Sequence, residues 1–335
     1  MWLGTARRIG LRVIRTPDAY AATDGRGTLA IGDDSALDAD DSLAQMIFHE
    51  LCHSLVEGEQ SFTRADWGMD NTGPDHDWRE HACLRVQWVL TGRHGLRRLF
   101  APTTEFRAFW DQLSDDVLAD RTERSVQAAI LGLRRADQPP WGPHLAEALA
   151  ATARIAQEAA KLAPEPDVLW HGVTAPPALH PTGLPASISS PVLNSDSSSG
   201  SCGSCAWRYE QRGVAKCRHT NTRLDDSWAA CERYEAALDC QTCGACCRAA
   251  YHSVEVQKRD PVVKKQPSFI VDRGTYLEIR RDGDRCAALA GGDFVDGKAT
   301  RFHCVIYDDR PRTCRDFTLG SEHCLTARRR VGLTL

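Results

Sequence analysis

Apolar residues change their spacing several times along the chain, and each change marks an element. Short β-branched or apolar runs at Leu11–Ile14 and Thr28–Ile31, bounded by Gly, Asp and Pro, predict strands of a small sheet. From Leu43 the period becomes helical. Leu43, Ile47 and Leu51 share one face, Asp40, Asp41 or Ser42 stands ready as N-cap, and Gly58 ends the run. A second helix is predicted from near Asp77 through Trp78, Leu84, Val86 and Val89 toward Gly92. Further helix is expected across Phe106–Leu118, Glu123–Leu133 and the Ala-rich, packing stretch Leu145–Leu162.

Beyond that stretch the pattern fails. Residues 164–201 carry Ala-Pro-Glu-Pro, Ala-Pro-Pro and a Ser-rich run at 194–201, a composition unable to bury much surface, and they are read as a flexible linker. Residues 202–335 hold only scattered strand-like pieces, Phe269–Val271 and Tyr276–Ile279 among them, so a loop-rich domain stabilised by metal is expected there. The expected class is α+β. A mostly helical domain with a small sheet over 1–163 precedes a cysteine-rich domain over 202–335.

Charge narrows the range of partners. Across 335 residues, 41 Lys and Arg meet 45 Asp and Glu for a net charge of −4, so no global basic field argues for nucleic acid or an anionic membrane. The Arg328-Arg329-Arg330 run is read as a solvated C-terminal face. No apolar run reaches the roughly 18 to 20 residues of a membrane span, and the N-terminus has no secretory pattern, so a cytoplasmic protein is expected. Twelve of the 14 cysteines follow residue 200. In a reducing compartment such an inventory points to metal ligation rather than disulfides.

Two constellations carry chemistry. His49-Glu50-Leu51-Cys52-His53 is an HExxH inside the predicted helix. Imidazoles four residues apart stand on one face one turn apart and suit a single Zn²⁺, while the carboxylate between them reaches a water held by that ion. Such an ion lowers the pKa of its water to near 7, and Glu50 is then the general base for attack on a carbonyl. Cys52 and Cys83 are read as small buried apolar residues. The segment Asp66–Asn71 is read as a loop whose Gly and Asn serve its turns, with walling of the site or capping of a calcium-like oxygen site as the other uses.

The order strand, edge strand, HExxH helix, second helix resembles the zincin metallopeptidases over about residues 10–92, specifically the gluzincin arrangement. That resemblance implies His49 and His53 as zinc ligands, Glu50 as general base and Glu80 as third ligand, with His76 and His81 as competing donors in the same segment. It also implies that a peptide substrate pairs with the edge strand before the active helix, placed here at Thr28–Ile31. No Tyr or His is assignable from sequence as oxyanion stabiliser.

The second constellation is the cysteine array. Cys202-Gly203-Ser204-Cys205 forms a CxxC that Cys217 and Cys231 complete to a four-sulfur site for zinc or iron. Cys240, Cys243, Cys246 and Cys247 then fall within eight residues, with Gly244 letting the backbone wrap closely, and Cys286, Cys304, Cys314 and Cys324 follow. Eight sulfurs suffice for two four-coordinate centres or for one cluster plus structural thiols. Adjacent Cys246 and Cys247 favour a cluster or two centres, because neighbouring side chains diverge.

From CQTCGACCR at 240–248 through Cys286, Cys304 and Arg310-Pro311-Arg312-Thr313-Cys314-Arg315-Asp316-Phe317 to Cys324, the chain resembles the YkgJ-type CxxCxxCC family of zinc- or iron-chelating domains. The resemblance implies bound metal, zinc or an iron-sulfur cluster, and no single reaction. Arg248, Arg310, Arg312 and Arg315 are candidates to offset thiolate charge, and His303 and His323 to substitute as ligands. The expected function is a zinc-dependent hydrolase with a peptide or protein substrate, fused to the metal-binding cysteine domain. The alternative is an iron-sulfur oxidoreductase or electron carrier with a non-catalytic HExxH module.

Overall fold

The computed structural model describes residues 1–69, 77–103, 105–163, 165, 167–174, 179–186 and 200–335. His76, Asn71 and most of the Ser-rich run at 194–201 lie outside the described residues. Contacts divide the chain into two units, Met1–Asp120 with Ala128–Leu179 and Arg121–Gln127 with His180–Leu335. Helices and small sheets together make a mixed α+β protein.

The first unit opens with a helix the hydrophobic pattern did not announce, α1 (Trp2–Ile9), which buries Trp2, Ala6 and Ile9 and stops at left-handed Gly10. Three strands follow, β1 (Arg12–Thr16), β2 (Ala21–Thr23) and β3 (Thr28–Gly32). The sheet order is β1-β3-β2, with β3 parallel to β1 and antiparallel to β2. This overturns the reading of Thr28–Ile31 as the edge strand. Leu29 and Ile31 are fully buried, and β3 is hydrogen-bonded on both sides. Its apolar run places it in the middle, and the short β2 is left at the edge.

Helix α2 (Leu43–Glu57) starts where the sequence predicts, with the Ser42 hydroxyl accepting the Gln45 N–H at 3.1 Å, and it ends at Gly58. Helix α3 (Asp77–Gly92) packs along it. Ile47, Leu51 and Leu55 from α2 and Leu84 and Val86 from α3 are wholly buried, so the core lies directly beneath the HExxH turn. Three shorter or flanking helices follow, α4 (Arg107–Asp111), α5 (Arg124–Ala136) and α6 (His144–Leu162). The helix expected over Phe106–Leu118 shrinks to five residues, because Phe106 starts it in the left-handed region and Asp115, in a polar turn, is held by Arg97 at 3.0 Å. Gly132 of α5 allows a close approach: a Cβ there would lie 3.1 Å from the Val86 side chain and 3.4 Å from the Leu55 backbone.

The second unit has little regular structure. A hairpin of β4 (Arg208–Gln211) and β5 (Val214–Cys217) leads into two- and three-residue strands, one-turn helices at Cys240–Cys243 and Arg312–Arg315, and a longer helix, Glu322–Arg330. Its buried clusters are small, and each contains cysteine. The arginine run is not a solvated face. The Arg328 side chain is 6% exposed and ion-paired with buried Glu235, while Arg329 and Arg330 hydrogen-bond to His219 and the Ala250 carbonyl. A buried carboxylate supplied from elsewhere in the unit draws Arg328 inward. Among the described residues, no helix is long and apolar enough to cross a membrane.

Candidate metal centres

On α2 the HExxH spacing sets His49 and His53 one turn apart with their Nε2 atoms 3.1 Å from each other. Glu80 reaches across from the first turns of α3, with Oε1 3.1 Å from His49 Nε2 and Oε2 3.2 Å from His53 Nε2. One carboxylate therefore faces both imidazoles. His81, one residue on, turns elsewhere and stacks on Phe109 with ring centroids 3.8 Å apart. Successive helical side chains diverge by about 100°, so only one of the two neighbours can face α2.

The Gln87 amide nitrogen is occupied by the Phe100 carbonyl, which leaves its oxygen to accept from His49 Nδ1 at 3.1 Å. In the neutral imidazole that bond puts the proton on Nδ1, so Nε2 is the nitrogen that would offer its lone pair to a cation on the Glu80 side. Cys83 joins the same set, the four ligand atoms all lying within 4.8 Å. Its sulfur, however, stands behind the imidazole, 3.8 Å from Nδ1, and donates to the His49 carbonyl at 3.5 Å. Burial, reinforced by Cys52, pushes the Cys83 thiol well up, so it stays protonated, as expected of a small apolar residue. Burial of His49 disfavours its charge, but the facing Glu80 carboxylate outweighs this and raises it to about 10. Burial pushes Glu80 up, and the two imidazoles more than reverse this, holding its carboxyl well below the usual range.

Glu50 lies on the same turn, and its Oε2 accepts from Trp67 Nε1 at 2.7 Å. The turn that delivers the indole is strained, with Asp66 at φ 47° and Trp67 at φ 57°. It is pinned to β2: Asp66 accepts the Thr23 N–H at 3.0 Å, and the Trp67 N–H donates to the Thr23 hydroxyl at 3.2 Å. From sequence, Gln87 has no role and Trp67 only a place in a loop that could wall the site, not the contact with Glu50. For Gln87 a signal existed, because Glu80, Leu84 and Gln87 recur at helical spacing. For Trp67 there was none. His49, Glu50, His53 and Glu80 open into a cleft of about 350 Å³ bordered by Tyr20 and Ala21 at β2 and by Phe106 opposite.

In the second unit, the Cys202–Ser204 turn and the end of β5 bring Cys202 and Cys217 into one buried cluster. Cys231 and Cys202 each feel the charge of Cys205 and Cys217. His180 adds a partner that the sequence did not suggest: its Nε2 lies 3.5 Å from Cys202 Sγ and 2.9 Å from the Ala229 carbonyl. Cys243 and Cys246 share one buried cluster and Cys247, Cys286 and Cys304 another. Electrostatic influence links Cys240 and Cys324 to the first set and Cys314 to the second. Burial pushes Cys202 up to about 11 and Cys231, Cys246 and Cys314 up to about 12. The Cys247 S–H donated to Cys286 drives Cys286 below the thiol range and Cys247 above it. Among the described residues, the His49 set is the one in which three or more donors lie within 4.8 Å of one another.

Of the arginines, Arg248 lies by Cys243, and Arg310, stacked 3.5 Å over Tyr307, lies by Cys304 and Cys314. The other two make different contacts, Arg312 pairing with Asp316 and Arg315 with Asp260. His303 and His323 are exposed.

Residues 239–329 match the family model described as "CxxCxxCC: Putative zinc- or iron-chelating domain". The chain is also 32% identical over 109 residues to "Uncharacterized protein YkgJ" of Escherichia coli O157:H7, a match covering 93% of that protein and 28% of this chain. The chain belongs to the YkgJ-type cysteine-cluster family. Membership makes it a metal-binding protein and covers the eight cysteines from Cys240 to Cys324. Cys202, Cys205, Cys217 and Cys231 precede the matched segment, and the HExxH unit lies wholly before it. No solved structure matches the chain.

Proposed function

We propose that the first unit is a zinc-dependent, zincin-like hydrolase acting on peptides or proteins, carried in one cytoplasmic chain with a cysteine domain that binds zinc or iron-sulfur. One observation carries the reading: a single carboxylate, Glu80, faces both HExxH imidazoles while Glu50, on the same turn, is held at the cleft by Trp67. Two neutral imidazoles and a carboxylate are the donor set of catalytic zinc, and here they face one another at 3.1 to 3.2 Å. His49, His53 and Glu80 would hold the ion, which supplies Lewis acidity and an acidified water.

The chain's own residues do the rest. Glu50 takes a proton from the attacking water and passes it to the leaving amine. Trp67 fixes the carboxylate that does so, and Gln87 holds His49 in the tautomer that ligates. A substrate strand would add to β2 rather than β3. Tyr20 pairs inward with Gly32 and the Thr23 N–H is taken by Asp66, so alternation leaves the backbone of Ala21 facing outward beside the cleft. A cytoplasmic location fits 14 cysteines of which none is paired in a disulfide.

The test is Glu50→Gln in the full chain. Zinc content should stay unchanged while cleavage of a mixed peptide library disappears. If zinc-loaded wild-type protein cuts no amide in such a library, the hydrolase reading is wrong.

A further inference from the structure

The family segment carries eight thiols, and nothing in its description says how many centres they make. The fold divides them. Gly244, at φ 59°, lies against the Phe302 ring, where a Cβ would come within 2.7 Å, and the chain then turns through Ala245, Cys246 and Cys247. That tight turn sends the two adjacent thiols into different buried clusters. Cys246 packs with Cys243 and with Ala327 of helix Glu322–Arg330, the helix that carries Cys324. Cys247 packs with Cys286, Cys304 and Ile306.

The remaining thiols follow the same division. Cys240 opens the one-turn helix that ends at Cys243, while Cys314 sits on the one-turn helix Arg312–Arg315. The Thr313 hydroxyl of that second helix donates to the Glu255 carbonyl and its Arg312 N–H to Asp260, beside Val256 and Val262 of the second cluster. The two sets meet at Cys246 and Cys247, which are neighbours in the chain. We propose that the CxxCxxCC segment holds two separate thiophilic-metal centres, one on Cys240, Cys243, Cys246 and Cys324, the other on Cys247, Cys286, Cys304 and Cys314. This rests on the metal-binding character of the family and is independent of the hydrolase reading. The first three cysteines of the signature thus serve one centre and the fourth serves the other, so the Cys246–Cys247 peptide joins them directly.

Metal identity is left to the measurement. Four thiolates on one zinc ion, with Zn–S about 2.3 Å, converge on a single atom, whereas in an iron-sulfur cluster each thiolate binds its own iron. Full-length protein purified anaerobically is assayed for zinc, iron and acid-labile sulfide per chain, alongside C324S, C314S, C246S/C324S and C314S/C324S. Each single variant should lose half of the metal that C314S/C324S loses, and C246S/C324S should lose no more than C324S.

The proposal is overturned if either single variant removes as much metal as C314S/C324S. To guard against variants that misfold, metal is stripped stepwise from wild type and newly exposed thiols are alkylated and mapped. The eight should open as the two named groups of four, and any mixed grouping overturns the division. A segment that binds no metal at all would instead refute the chelating character itself, with His49, His53 and Glu80 still open to test by Glu50→Gln.

Discussion

The indole N–H of Trp67 donates to the Glu50 carboxylate at 2.7 Å, from a turn whose two left-handed residues are tied to β2. A hydrogen bond to a charged group contributes about 1.5–3 kcal/mol, enough to hold one rotamer of a side chain lining a cleft.

Trp67→Phe keeps the ring packing against Phe62 and removes only the donor. Peptide cleavage should fall roughly 10- to 100-fold, as loss of about 1.5–3 kcal/mol of positioning requires, with zinc content unchanged. Measuring kcat/KM beside zinc stoichiometry checks this, and equal losses of both would show that the residue supports the fold instead.

Gln87→Leu should weaken zinc binding by roughly 10- to 100-fold, the usual effect of removing the partner that orients a ligating imidazole. Competition with a chromophoric chelator measures it. Unchanged affinity would mean that the Gln87 contact, at 3.1 Å, does nothing to prepare His49.

Without metal, Glu80 outweighs burial and raises His49 to about 10, from 6.5. The folded state then binds the proton more tightly than the unfolded chain, so this stabilisation is complete below pH 6.5 and lost as pH rises toward 10. Chelator-treated protein should show a Tm for its first unit that falls across that window. Glu80→Gln should flatten the dependence, and a slope that persists in the variant would locate its cause elsewhere.

Arg328 and Glu235 are paired with side chains 6% and 9% exposed. Arg328→Ala strands a buried carboxylate and should destabilise the second unit by about 3–5 kcal/mol. Denaturant unfolding of metal-loaded protein measures it. A change under 1 kcal/mol would mean that Trp207 and Thr334, which also donate to Glu235, satisfy it alone.

Much of this protein followed from local pattern. Ser42 and Gly58 bracket α2 in sequence and in space, since a helix cap depends only on neighbouring residues. The facing of His49 and His53 is equally local. Periodicity over Phe106–Leu118 predicts more helix than the five residues formed, because it is blind to the left-handed Phe106 and to the polar turn held by Arg97.

The sequence by itself determined the HExxH pair, two of the three strands of the first sheet, the long helices from Leu43 on and the family of the cysteine segment, because each is written within one turn, one strand or one signature. Tertiary structure decided that Glu80 rather than His81 meets the imidazoles, that β2 and not β3 forms the edge, that Trp67 reaches Glu50, and that Cys246 and Cys247 part company. Each of these depends on how two segments distant in the chain are rotated against one another, and rotation is set by the packing of buried side chains, which no spacing along a single segment encodes.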